Sequence, residues 1–115
     1  METTRKHSGP RMSGVVMHGE TIYLSGQVAD NRDGGTGAQT SDILSKIERL
    51  LADAGSNKSK ILSATIYLTD IRDFAAMNEV WDAWVDQGNP PARTTVEAKL
   101  AAPAVRVEMT MIAAR

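Results

Sequence analysis

The sequence predicts one α+β domain, a single sheet with two helices packed on one of its faces. Three observations predict it. Two stretches, Gln39 to Ala54 and Phe74 to Trp84, space their apolar residues as helices do. The segments around them alternate in polarity or are rich in β-branched residues, as strands are. No repeat or linker divides the 115 residues, a length that makes one domain with a modest core.

The elements follow in order. Residues 1–10 read as a tail or a leading edge strand, and Arg11 to Met17 as the first regular strand. His18-Gly19-Glu20 is a turn, with Gly19 supplying the permissive backbone. Thr21 to Gln27 is a second strand, and Asn31 to Gly37 a glycine-rich loop. In Gln39 to Ala54, Ile43, Ile47, Leu50 and Leu51 form one apolar stripe, and Gly55 suits the position just past the helix end. Ile61 to Thr69 is a strand with Leu62, Ala64, Ile66 and Leu68 on one face. Phe74, Met77, Trp81 and Trp84 define the second helix, with Asp70 and Asp73 as caps at its start. Gly88 and Pro90-Pro91 close it. Two strands finish the chain, Thr94 to Leu100 and Val105 to Ile112, the former with Val96, Ala98 and Leu100 on one face. The order is β-β-α-β-α-β-β.

The sheet face away from the helices would carry Tyr23, Ser25, Thr65, Tyr67, Thr95, Glu97, Glu108 and Thr110. Such a half-polar face is either solvated or a subunit interface lined by satisfied polar groups.

Composition excludes several classes of function. Lys and Arg total 13 against 14 Asp and Glu, a net charge of −1, which lacks the basic excess of a nucleic-acid or membrane-surface protein. With no cysteine, a disulfide scaffold, a thiolate metal site and a cysteine nucleophile are ruled out. The apolar runs fall short of a membrane span, and Met1 to Pro10 is too polar for a secretory signal, so a cytoplasmic location is expected.

Few motifs carry chemistry. The Asn31–Gly37 loop fits neither a phosphate loop nor dinucleotide spacing. His7 and His18 are isolated, so neither a metal site nor a Ser-His-Asp triad is expected. The Met and Trp residues of the second helix read as core. The remaining candidates are Ser25-Gly26-Gln27, Asn78, Pro91-Ala92-Arg93 and Glu108. A guanidinium at position 93 suits a carboxylate bidentately, and a mid-strand carboxylate at 108 could be a positioned acid/base. Taken singly, each reads first as an ordinary surface residue.

In combination these segments resemble the Rid family, the RidA/YjgF-like reactive-intermediate deaminases. The resemblance runs from about Gly9 to Ala114. It is carried by Tyr23-Leu24-Ser25-Gly26-Gln27, Ala54-Gly55, Thr65 to Asp70, Asp73 to Asn78, Pro91 to Glu97 and Val107-Glu108. Gly55 to Ser59 and Trp81 to Val85 are closer to a YoaB-like branch. The resemblance implies a chorismate-mutase-like fold with one mixed sheet. It also implies a trimer in which the sheets form a central barrel and three sites lie between subunits. The implied activity is hydrolysis of 2-imino acids or their enamines to 2-keto acids and ammonia, with no cofactor or metal. It protects other enzymes from these reactive species.

The family's carboxylate-binding arginine falls on Arg93 and its C-terminal glutamate on Glu108. Ser25, Gly26 and Asn78 fall on substrate-binding positions, and Thr95 stands where a cysteine is frequent. The family's Gly-Pro-Tyr is Gly9-Pro10-Arg11 here, which either puts a cation at a substrate-binding position, suiting a substrate with an extra acidic group, or turns Arg11 outward from the pocket. Thr110 stands where many members have a second glutamate. A trimeric small-carboxylate binder without turnover, including a chaperone-like role, is the alternative. Ribonuclease activity, attributed to some members, is disfavoured by the net negative charge.

Overall fold

In the computed structural model, which describes residues 1–115, the chain forms six strands and two α-helices. The strands are β1 (Thr3–Ser8), β2 (Ser13–His18), β3 (Thr21–Leu24), β4 (Ile61–Leu68), β5 (Ala92–Glu97) and β6 (Val107–Ala114). The helices are α1 (Thr36–Asp53) and α2 (Phe74–Trp84). All strands join one mixed sheet in the order β1-β2-β3-β6-β4-β5. Every neighbouring pair is antiparallel except β4 and β5, which run parallel because α2 carries the chain back between them.

The helices cover one face. Ile43, Leu44, Ile47 and Leu51 of α1, with Met77 and Trp81 of α2, are buried against Val15, Ile22, Ile66, Leu68, Met109 and Met111 of the sheet. This is the expected architecture, with one strand more: residues 3–8 pair with β2 as an edge strand.

α1 begins a turn earlier than its apolar stripe suggests. Gly35 is its extended N-cap, and Thr36 and Gly37 are already helical. Gly37 lies against α2, where a Cβ would stand 3.7 Å from Val80. The helix ends as expected at Gly55, whose φ of +81° suits glycine. Gly55 N–H donates to the Ala52 carbonyl at 3.0 Å and Ser56 N–H to that of Leu51 at 2.8 Å, the paired bonds of a Schellman end.

Four readings of the sequence need correction. Leu62 does not share a face with Ala64: it is 53% exposed, because a register shift between Ile61 and Ser63 turns Ile61 inward instead. The fifth strand ends at Glu97, and Val96 is 39% exposed rather than core. Thr95 and Glu97 are not on the open face: they lie in register with Ile66 and Leu68 and so share the helix side. β5 is an edge strand, so Glu97 stands on that side exposed, while Thr95 is half-buried there. Asp73 precedes α2 but makes no side-chain cap; its carboxylate accepts from the Thr36 hydroxyl at 2.8 Å. Asp70 caps the 3₁₀ turn Ile71–Asp73, and its hydrogen bonds from the Arg72 side chain hold its carboxyl down at about 2.

Candidate active site: two half-sites on opposite faces of the sheet

The first half-site is built on the helix side of β5. Arg93 lies in register with Ala64 of β4, so its side chain turns toward α2. Its Nη1 donates to Asn78 Oδ1 at 2.7 Å. The guanidinium carbon lies 5.3 Å from the Trp81 ring centre and 5.8 Å from that of Phe74. Residues 74, 78 and 81 recur on one face of α2, so one helix face supplies the whole cradle. The rest of the half-buried guanidinium has no protein partner, which leaves donors for a carboxylate. On the same side of β5, the Thr95 hydroxyl is buried with no hydrogen-bond partner. A buried orphan of this kind wants a partner.

The second half-site is on the open face. Glu108 of β6 pairs with Tyr67 of β4, both half-buried. Its carboxylate accepts no hydrogen bond from the chain. It lies directly over Gly26, where any Cβ would collide with it. A hollow of about 450 Å³ surrounds it, lined by Gly26, Tyr67, Thr110 and residues 98–101. Thr110 is turned to the backbone, donating to the Leu24 carbonyl at 2.9 Å. Ser25 N–H donates to the Gly14 carbonyl at 2.9 Å, and its hydroxyl accepts from Gln27 Nε2 at 3.2 Å. Gly26 N–H has no partner. Arg11 is exposed in the turn between β1 and β2. The Gly14–Ser25 bond ties this hairpin to the Ser25-Gly26 end of the sheet.

The two halves do not meet within one chain. Arg93 shares the face of Ala64 and the helices, whereas Glu108 shares that of Tyr67. Arg93, Asn78 and Thr95 thus form one group, and Glu108, Gly26 and Ser25 another, with the sheet between them.

A family model described as endoribonuclease L-PSP matches residues 5–115. The chain belongs to this family. The Escherichia coli RutC family protein YoaB is 46% identical over 114 residues, covering 99% of both chains. A RutC family protein of Haemophilus influenzae is 47% identical over 104 residues, 90% of each. Among solved structures, NMB1025 of Neisseria meningitidis, a YjgF family member, superposes with a TM-score of 0.95 at 47% identity, covering 100% of this chain and 96% of that one. The two-helix, six-strand fold is therefore the YjgF, chorismate-mutase-like fold.

For this L-PSP family member the sequence reading missed two contributors. Trp81 read only as core and Phe74 only as part of the helical pattern, yet both flank Arg93; Trp81 is 5% exposed and packs in the core as well, whereas Phe74 is 41% exposed. The wall formed by residues 98–101 was hidden because residues 98–100 read as the end of a strand. The glycine at 26 gives a direct test. Gly26→Ala should push the Glu108 carboxylate aside and lower kcat/KM about 10- to 100-fold while the urea midpoint barely moves. Wild-type kinetics in that variant would show that the carboxylate's place over residue 26 does not matter.

Proposed function

We propose that this protein hydrolyses 2-imino acids and their enamine tautomers to 2-keto acids and ammonia, at sites completed between subunits of a homotrimer. The observation that carries this reading is the separation of a carboxylate-ready arginine and an unbonded glutamate on opposite faces of one sheet. Each is half of a site, and a ring of three copies can bring one half of each chain to the complementary half of the next. The exposed Tyr23 and Val96 on the open face, 46% and 39% accessible, fit burial in such an assembly.

Arg93 holds the substrate carboxylate, Asn78 fixes the guanidinium, and the Thr95 hydroxyl finds its partner on the substrate. Glu108 of the adjoining copy holds a water over the imine carbon. As the water oxygen bonds to that carbon, Glu108 takes its proton and passes it to nitrogen. The carbinolamine then loses its C–N bond, the carbonyl forms, and the hydroxyl proton leaves with ammonia as ammonium. No covalent nucleophile is required, because a protonated imine is already electrophilic. Ser25 and Gly26 add a hydroxyl and a free N–H beside the carboxylate. Arg11 gives the hairpin end a cation suited to substrates with a second acidic group. Neither nucleic acid nor membrane is a partner in this reading: net charge is −1, and no helix is long and apolar enough to cross a membrane. The place of action is the cytoplasm.

A coupled assay tests the reading. An amino-acid oxidase supplies imines from a panel that includes aspartate and glutamate, and semicarbazide trapping follows their loss. Faster loss with the protein present supports the deaminase. No acceleration for any imine would put the non-catalytic carboxylate binder, with any chaperone-like role, in its place.

A further inference from the structure

We infer that Gln39 is a positioning residue for the wall of the Glu108 hollow, an inference that rests on the deaminase reading of that hollow. Gln39 sits in the first turns of α1 and is fully buried. Its amide joins α1 to two other segments, residues 32–34 and 104–106. Nε2 donates among the carbonyls of Ala104 (3.0 Å), Gly34 (3.1 Å) and Arg32 (3.3 Å), while Oε1 accepts from Arg106 N–H at 2.9 Å. Both ends of the amide are therefore in use; only Gln and Asn offer two donors and an acceptor in this shape, and Asn is one methylene shorter.

What Gln39 holds is the far root of the 98–106 segment. The near root is fixed where Ala98 N–H donates to the Leu68 carbonyl at 2.9 Å. Thr69 adds a clamp at the far root, its hydroxyl donating to the carbonyls of Val105 and Arg106 at 3.0 Å each. Between the roots, Lys99, Leu100 and Ala101 make no hydrogen bond, yet they line the hollow beside Glu108. A span without bonds of its own stands where its roots put it. Glu108 itself is held separately, by the β4–β6 ladder. Loosening the far root should therefore move the wall and spare the carboxylate, so substrate fit suffers more than the chemical step.

The experiment compares Gln39→Met, close in volume but without the amide, and Gln39→Glu with wild type. Amide exchange, measured without substrate, should quicken in Gln39→Met at Arg106, which loses its acceptor, and at Val105, whose N–H donates to the Ala102 carbonyl at the end of the wall, with β4 and β6 still protected. KM should rise about tenfold with kcat within about threefold. In Gln39→Glu a protonated carboxyl keeps one donor and one acceptor, so KM should fall toward wild type as pH is lowered, a recovery that Gln39→Met cannot show. If Gln39→Met does not fold, the pH series of Gln39→Glu decides alone. Unchanged exchange at Val105, faster exchange with unchanged KM, or no pH-dependent recovery would each overturn the inference. Should wild type hydrolyse no imine, the deaminase reading fails by itself, and the exchange measurement still decides whether Gln39 holds the wall.

Discussion

Arg93→Ala should lower kcat/KM for imine hydrolysis about 10²- to 10⁴-fold, the loss of two charge-assisted hydrogen bonds at about 1.5–3 kcal/mol each. The size of the effect follows from how the guanidinium is held. Asn78 takes one of its N–H groups at 2.7 Å, and Phe74 and Trp81 fix its plane. The remaining donors are thus already oriented before substrate arrives, and little entropy is lost when a carboxylate docks. Arg93→Lys keeps the charge but loses the planar fork, so it should restore little. Asn78→Ala leaves the charge and frees the plane, so its loss should be smaller and fall mainly in KM. The fold should survive all three, since position 93 is on an edge strand and only half-buried. Steady-state kinetics with circular dichroism on each variant checks this. Wild-type kcat/KM in a folded Arg93→Ala protein would remove the carboxylate clamp.

Much of the fold was legible because burial contrast was strong. α1 shows its stripe at Ile43, Ile47 and Leu51, all fully buried, and Gly55 marks its end. β4 alternates cleanly from Ala64 to Leu68. Legibility fails where contrast fails. β1 carries almost no buried residue, so nothing but its pairing with β2 distinguishes it from a tail. β5 lies at the other edge, and its alternation of Arg93, Thr94, Thr95 and Val96 does not say which side meets the helices. That ambiguity put Thr95 on the wrong face. The parallel register with β4 settles it by placing Arg93 opposite Ala64 and Thr95 opposite Ile66. The bulge at Ile61–Ser63 is a matter of strand pairing, to which the alternation around Leu62 is blind. The candidate residues stand out in the sequence only in combination, since each alone reads as an ordinary surface residue. Their separation was not legible, because whether Arg93 and Glu108 share a face depends on how β5, β4 and β6 are ordered and registered.

Glu108→Gln should lower kcat about 10²- to 10⁴-fold with KM nearly unchanged, as expected for loss of a group that moves protons rather than one that grips substrate. The amide is close in shape to the carboxylate and leaves the space over Gly26 as it was. The more searching result comes from mixing this variant with Arg93→Ala. Each alone should be nearly inactive. If the site takes Arg93 from one copy and Glu108 from the next, a mixed trimer contains one interface where an intact arginine meets an intact glutamate. After unfolding and refolding together in equal amounts, random assembly should restore about a quarter of wild-type activity. Sites formed within single chains would yield none, since every chain then lacks one group or the other. The experiment separates two claims that single variants confound: that both residues act, and that they act across a subunit boundary. Two silent single variants that fail to complement, while native mass spectrometry shows mixed trimers, would keep the chemistry and discard the shared site. The opposite faces of the sheet make that outcome hard to accommodate, because a chain acting alone would have to bring Arg93 around the edge of β5 to reach Glu108.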